Sequence, residues 1–179
     1  MRALYDLFAK PHERARRAAE HYTALVTQAR RSEFYESLGV PDTLDGRFDL
    51  IVLHASLYLK RMRAAGREGR DLAQAVFDSM FDNLDQSLRE LGVGDVTLPR
   101  KVRAMVEAFY GRAAAYDAAL ATGDDQALAE ALVRNIYAGN APPGDAVEKL
   151  SAYLRRSAKA LADASDAAIL SNQFRWGEP

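Results

Sequence analysis

Asp78, Asp82 and Asp85 stand at i, i+4 and i+7, so a helix through them would carry three carboxylates on one face, with Asn83 beside them. Oxygen ligands spaced in this way could chelate Mg²⁺ and present it to a diphosphate, the chemistry of a helical isoprenoid-type enzyme. That chemistry needs a second acidic cluster on a facing helix, and Asp124-Asp125 sits at a loop-to-helix junction, which is a poor one. The acidic face is therefore read as solvated or arginine-paired, with no metal and no cofactor, and the Mg²⁺-dependent enzyme stays as the alternative. Histidine, the usual ligand and proton carrier near neutral pH, occurs at His12, His21 and His54, with no partner at i+3 or i+4 and no Glu-x-x-His pair. His54 reads as a core histidine bonded to a backbone or hydroxyl group, a haem contact being the other possibility. Ser56, Ser79 and Ser87 fall inside helical patterns without a nucleophile elbow. Gly92-Val93-Gly94-Asp95 lacks the third glycine of a dinucleotide loop and reads as a helix end. No catalytic residue is assigned, and the chain is expected not to be an enzyme.

Helices must position these groups. Glycine and proline punctuate the chain about every twenty residues, and the apolar residues between them recur with helical period. The first helix is expected from Pro11, a residue suited to a first turn, to about Arg31, followed by a short piece at Glu33–Leu38. A second long helix runs from about Gly46 to Ala64; its middle, Leu50–Leu59, is apolar nearly all round and should be the most buried element. A third is expected over Arg70–Leu91 and a fourth over Pro99–Ala121, stopped by Gly123. A fifth spans about Asp125–Tyr137, capped by Asp124, and a last one, capped by Asp145, reaches about Leu170. The tail Ser171–Pro179 shows no pattern beyond its single Trp176. The fold class is all-α, a single-domain bundle of about six helices. An arm (residues 1–10), a helical domain (11–140) and a C-terminal helix and tail (141–179) packed on that domain make up its organisation.

Composition narrows the function classes. With 24 basic against 25 acidic side chains, the net charge of −1 argues against a bulk nucleic-acid binder, so no DNA partner is expected. The absence of cysteine removes disulfides, thiolate metal sites and cysteine catalysis. The longest apolar run is about half of what a bilayer crossing needs, so no transmembrane segment is expected. The N-terminus is a poor secretory signal, which points to a cytoplasmic address. The cancelling charges are unevenly spread. Lys60, Arg61, Arg63, Arg67 and Arg70 form a basic stretch opposed only by Glu68, a candidate dock for lipid headgroups or ribosomal RNA.

Phe77–Asp95, FDSMFDNLDQSLRELGVGD, and Pro99–Leu120, PRKVRAMVEAFYGRAAAYDAAL, carry a resemblance. Asp85, Leu88, Arg89, Glu90, Gly92, Val93, Gly94 and Asp95, followed by Phe109, Tyr110, Gly111, Arg112, Ala115 and Tyr116, resemble the pattern of the ubiquinol–cytochrome c chaperone family. Leu53-His54 and Arg134-Asn135-Ile136-Tyr137 fit the same pattern, whereas Asn83, Leu84 and Leu91 depart from it. The resemblance covers roughly residues 10–140. It implies a non-enzymatic assembly factor for respiratory complex III that holds newly made cytochrome b, acting in the cytoplasm and peripheral to the inner membrane, with ribosome or membrane surface as a further contact.

A chaperone for an apolar client needs a groove lined by adaptable apolar side chains. Phe77, Met80, Phe81, Phe109, Tyr110 and Tyr116 are the candidates, each with core packing as its other reading. Gly111, inside a helical pattern, is expected at a close helix crossing or on a groove floor. Asp82, Asp85, Arg89, Glu90, Asp95 and Arg112 form the polar part of the motif, with Arg112 expected to pair with the aspartate face.

Overall fold

Thirteen of the twenty-one residues of helix α3 (Leu44–Ala64) are buried, as an element apolar on every side must be, and the other helices are arranged around it. The computed structural model describes residues 2–179, with side chains from His12 onward. Around α3 pack α1 (Arg2–Ala29), α4 (Gly66–Glu90), α5 (Leu98–Thr122), α6 (Asp125–Ile136), α7 (Ala146–Asp163) and the short α8 (Asp166–Leu170). A further short helix, α2 (Ser32–Glu36), follows α1 and inserts Phe34 into the core. The all-α single-domain bundle is thus as expected, with six long helices and two of five residues; there is no strand among the described residues.

Local chemistry explains most boundaries. Thr43 opens α3 by accepting a hydrogen bond from the Gly46 N–H at 3.1 Å. Between α3 and α4 the chain turns within Ala65-Gly66, where Gly66 takes φ +78°, a left-handed conformation that a side chain would strain. Gly69 then lets the corner close, since a Cβ there would lie 2.1 Å from the Met62 carbonyl oxygen. Asp124 caps α6 through the Ala127 N–H, and Gly123 ends α5 with φ +69°, both as expected.

Three expectations are corrected. Helix α1 begins at Arg2, so Pro11 lies within it; one missing backbone donor costs a helix of 28 residues less than ending it there would. The expected last helix is two, because Ala164 is extended (ψ 138°) and Ser165 starts α8 by accepting from the Ala168 N–H at 3.2 Å. Asp145 makes no capping bond; it lacks the extended backbone of a capping residue, and its carboxylate pairs with Lys149 at 2.9 Å.

The patternless tail is a strap laid across α3 and α7. Phe174 stacks on Tyr58 at 5.1 Å between centroids, and Trp176 sets its edge against His54, also at 5.1 Å. The Gly177 N–H donates to the Ser157 hydroxyl at 3.3 Å, and Arg31 holds the Glu178 carboxylate at 2.9 Å.

Candidate functional site

The motif segments converge where α4 meets α5. Phe77 packs against Phe81 at 4.7 Å, Phe109 at 5.2 Å and Tyr110 at 5.7 Å between centroids, a cluster of offset and edge-on contacts of the kind aromatic rings favour. Phe77, Met80, Phe81, Phe109 and Tyr116 are buried. Of the six candidate groove residues only Tyr110 reaches solvent, with 51% of its surface exposed. Burial pushes the Tyr116 hydroxyl far up, against a weaker opposite pull from Asn135.

Gly111 is not at a helix crossing. It is exposed, and a Cβ placed on it would meet nothing within 4 Å. Packing therefore does not account for a glycine in mid-helix. Gly111→Ala should raise folding stability by about 0.5–1 kcal/mol, measured by chemical unfolding. A destabilised variant would show that the glycine is needed by the fold after all.

Arg112 does not reach the aspartate face of α4. Its stripe of α5 turns toward α3, where the guanidinium meets the Asp49 carboxylate at 2.9 Å, with side-chain exposures of 23% and 10%. The Phe48 ring lies 6.0 Å from the same guanidinium. Burial pushes the Asp49 carboxyl up to about 6, against the pull of Arg112, which favours the ionised form. Nothing in the motif singles out Asp49; its signal in the sequence is an acid directly before the apolar run Leu50–Leu59.

The aspartates face outward. Asp78 accepts from Gln74 at 2.7 Å, Asp82 is exposed, and Asp85 pairs with Arg89 at 2.7 Å. Arg89 also holds Asp95 at 2.8 Å, bracing the end of α4 against the following turn, and Glu90 accepts from Gln86 at 3.0 Å. No group of three or more metal-ligating side chains is assembled among the described residues, so the geometry of a diphosphate-binding Mg²⁺ site is not met here.

His54 is a core histidine. Its Nδ1 lies 2.7 Å from the Leu50 carbonyl, which can only accept, so Nδ1 carries the proton. Its Nε2, 2.6 Å from the Tyr153 hydroxyl, must then accept, and Tyr153 in turn receives a bond from Gln28 at 3.1 Å. Burial pushes the imidazole down to about 4 and the Tyr153 hydroxyl up to about 12. With one nitrogen protonated and the other engaged, neither is free to ligate haem iron. A parallel pair, His21 Nδ1 and the Tyr58 hydroxyl at 2.6 Å, lies nearby.

The basic stretch is divided by the fold. Lys60 pairs with Asp117 at 2.5 Å. Arg61 is spent on the fold, donating to the carbonyls of Leu161 at 3.0 Å and Ala164 at 2.6 Å and to Asp166 at 2.7 Å, which ties α8 to α3. Arg63 is half-buried, and Arg67 and Arg70 are exposed. Arg67 lines an open cleft of 730 Å³ with Arg14 and Arg17, but Glu13, Glu68 and Asp71 line it too. No helix among the described residues is long and apolar enough to cross a membrane.

Similarity to known proteins follows the same segments. A family model described as ubiquinol-cytochrome C chaperone matches residues 36–176. The chain is 32% identical over 161 residues to ubiquinol-cytochrome-c reductase complex assembly factor 1 of Xenopus laevis, covering 89% of this chain and 80% of that protein. The Homo sapiens protein of the same name is 27% identical over 160 residues, of which the chain spans 53% of the length. The crystal structure of the Cbp3 homolog from Brucella abortus superposes with a TM-score of 0.85 at 35% identity, covering 98% of this chain and 97% of that one. This chain belongs to the ubiquinol–cytochrome c chaperone family.

Proposed function

We propose that the chain is an assembly factor for ubiquinol–cytochrome c reductase, working by binding and without turnover, and that its client is newly made cytochrome b. The observation that carries this reading is likeness along nearly the whole chain, 98% of it, to the Cbp3 homolog, with the motif helices α4 and α5 inside the family match. The site supports it in a second way: the residues that the motif supplies mostly hold helices together, Phe77 on Phe109, Arg89 on Asp85 and Asp95, and Arg112 on Asp49.

With five of the six candidate side chains in the core, the client contact falls on the surface that they support, at Tyr110 and Gly111. Tyr110 offers an apolar ring with a polar tip, backed by Phe77 and Phe109, and Gly111 removes the side chain beside it. An apolar segment could lie against such a place closely. Contact at the bilayer where such a client resides completes the reading. Its test is deletion: cells lacking the chain should fail to accumulate assembled reductase, whereas unchanged reductase would contradict it.

A further inference from the structure

The turn between α4 and α5 carries two of the most exposed apolar side chains in the described structure. Leu91 is 63% exposed and Val96 is 95% exposed. Behind them Arg100 and Lys101 are exposed and have no acidic partner among the described residues. Arg89 is paired with Asp85 and Asp95 and Arg103 with Glu107, so Arg100 and Lys101 are the cations left over here. The surface is thus an aliphatic tip with a cationic collar.

Backbone hydrogen bonds hold the two ends of the turn. The Gly92 N–H donates to Arg89 O at 2.9 Å, Val93 to Leu88 O at 3.0 Å, Thr97 to Gly94 O at 2.9 Å and Leu98 to Gly94 O at 3.1 Å. These bonds fix the shape of the turn, while the N–H groups of Gly94, Asp95 and Val96 have no partner among the described residues and need water or a headgroup oxygen as acceptor. Leu88 and Leu98, both buried, root the turn on the bundle.

We propose that this turn docks the chain on an anionic lipid bilayer, with Leu91 and Val96 entering the headgroup–acyl boundary and Arg100 and Lys101 meeting lipid phosphates. Apolar insertion and cation–headgroup attraction are each weak alone and reinforce one another when they act from one element. Tyr110 lies about 18 Å along α5 from Leu98, at 1.5 Å per helical residue, so the proposed client contact and the turn are carried by one helix. The proposal deepens the assembly-factor reading by naming what holds the chain at the bilayer, but its test contains no client, so either can fail alone.

The test is co-sedimentation of the purified full chain with vesicles of phosphatidylcholine, or of phosphatidylcholine mixed with phosphatidylglycerol. Binding is expected to the anionic vesicles and to weaken with salt. The pairs Leu91→Ser with Val96→Ser, and Arg100→Glu with Lys101→Glu, should each lower it by roughly tenfold or more. All four side chains are exposed or lack partners, so thermal unfolding should be unchanged, which separates lost docking from lost folding. The pair Arg67→Glu with Arg70→Glu should leave vesicle binding as it was. Equal binding to both vesicle types, no binding, or loss only in the Arg67 and Arg70 pair would overturn the proposal. So would turn variants that keep vesicle binding.

Discussion

Arg112→Ala should cost about 3–5 kcal/mol of folding stability above pH 6, the range expected when one member of a buried ion pair is removed. The cost arises because Asp49 stays behind, 7% exposed and without its cation. Its dependence on pH follows from the sign of the Asp49 shift. The folded carboxyl sits at about 6, above its ordinary 3.8, so the fold prefers the protonated acid. That contribution is fully present below 3.8 and is lost as pH rises through 6. Without Arg112 the preference strengthens, so the penalty is largest above pH 6 and shrinks toward pH 4. Asp49→Asn added to Arg112→Ala should restore much of the loss at neutral pH. Urea unfolding across this range checks it; a loss below about 1 kcal/mol, or one independent of pH, would show that the pair is solvated and not buried.

His54 gives the second large effect, with the opposite sign. The folded imidazole sits at about 4, below its ordinary 6.5, so stability is present above 6.5 and is lost as pH falls through 4. Protonation would make both ring nitrogens donors, forcing Tyr153 to turn its hydroxyl away from Nε2. His54→Leu removes this titration. It also leaves the Leu50 carbonyl and the Tyr153 hydroxyl each short of a partner, at about 1–3 kcal/mol near neutral pH. The difference between wild type and variant should then shift by roughly 3 kcal/mol in the variant's favour as the pH is lowered from 6.5 to 4, closing or reversing the gap. Asp49 works against His54 over the same interval, so the wild-type curve alone would hide both; the difference between chains isolates each. A gap that stayed constant with pH would mean that the imidazole is not held neutral by burial.

Much of the architecture was legible because helical periodicity and end signals act locally. Asp124, Gly123 and the all-round apolar stretch of α3 each specify their outcome within a turn or two of chain. The burial of His54 followed from the same stretch. Partners chosen by tertiary packing were not legible. Arg112 was placed with the aspartates of α4, the acids nearest in the motif, but the rotation of α5 about its axis selects Asp49 instead. The strap from Phe174 to Glu178 has no period for a reader to find, because its contacts are made residue by residue with α3, α7 and Arg31. The cost of Gly111 points to a helix crossing or a groove floor, and the open space around it removes the first. The motif itself proved divided, with most of its aromatic side chains serving the core and Tyr110 left outside.

The central claim is that this chain is needed to assemble ubiquinol–cytochrome c reductase. Its most direct test is the amount of assembled reductase, measured as ubiquinol-dependent cytochrome c reduction and by native gel, in membranes of cells with the chain deleted. Activity and assembled complex should fall to background, other respiratory activities should persist, and the wild-type chain supplied in trans should restore both. Assembled, active reductase at the wild-type level in the deletion would contradict the account.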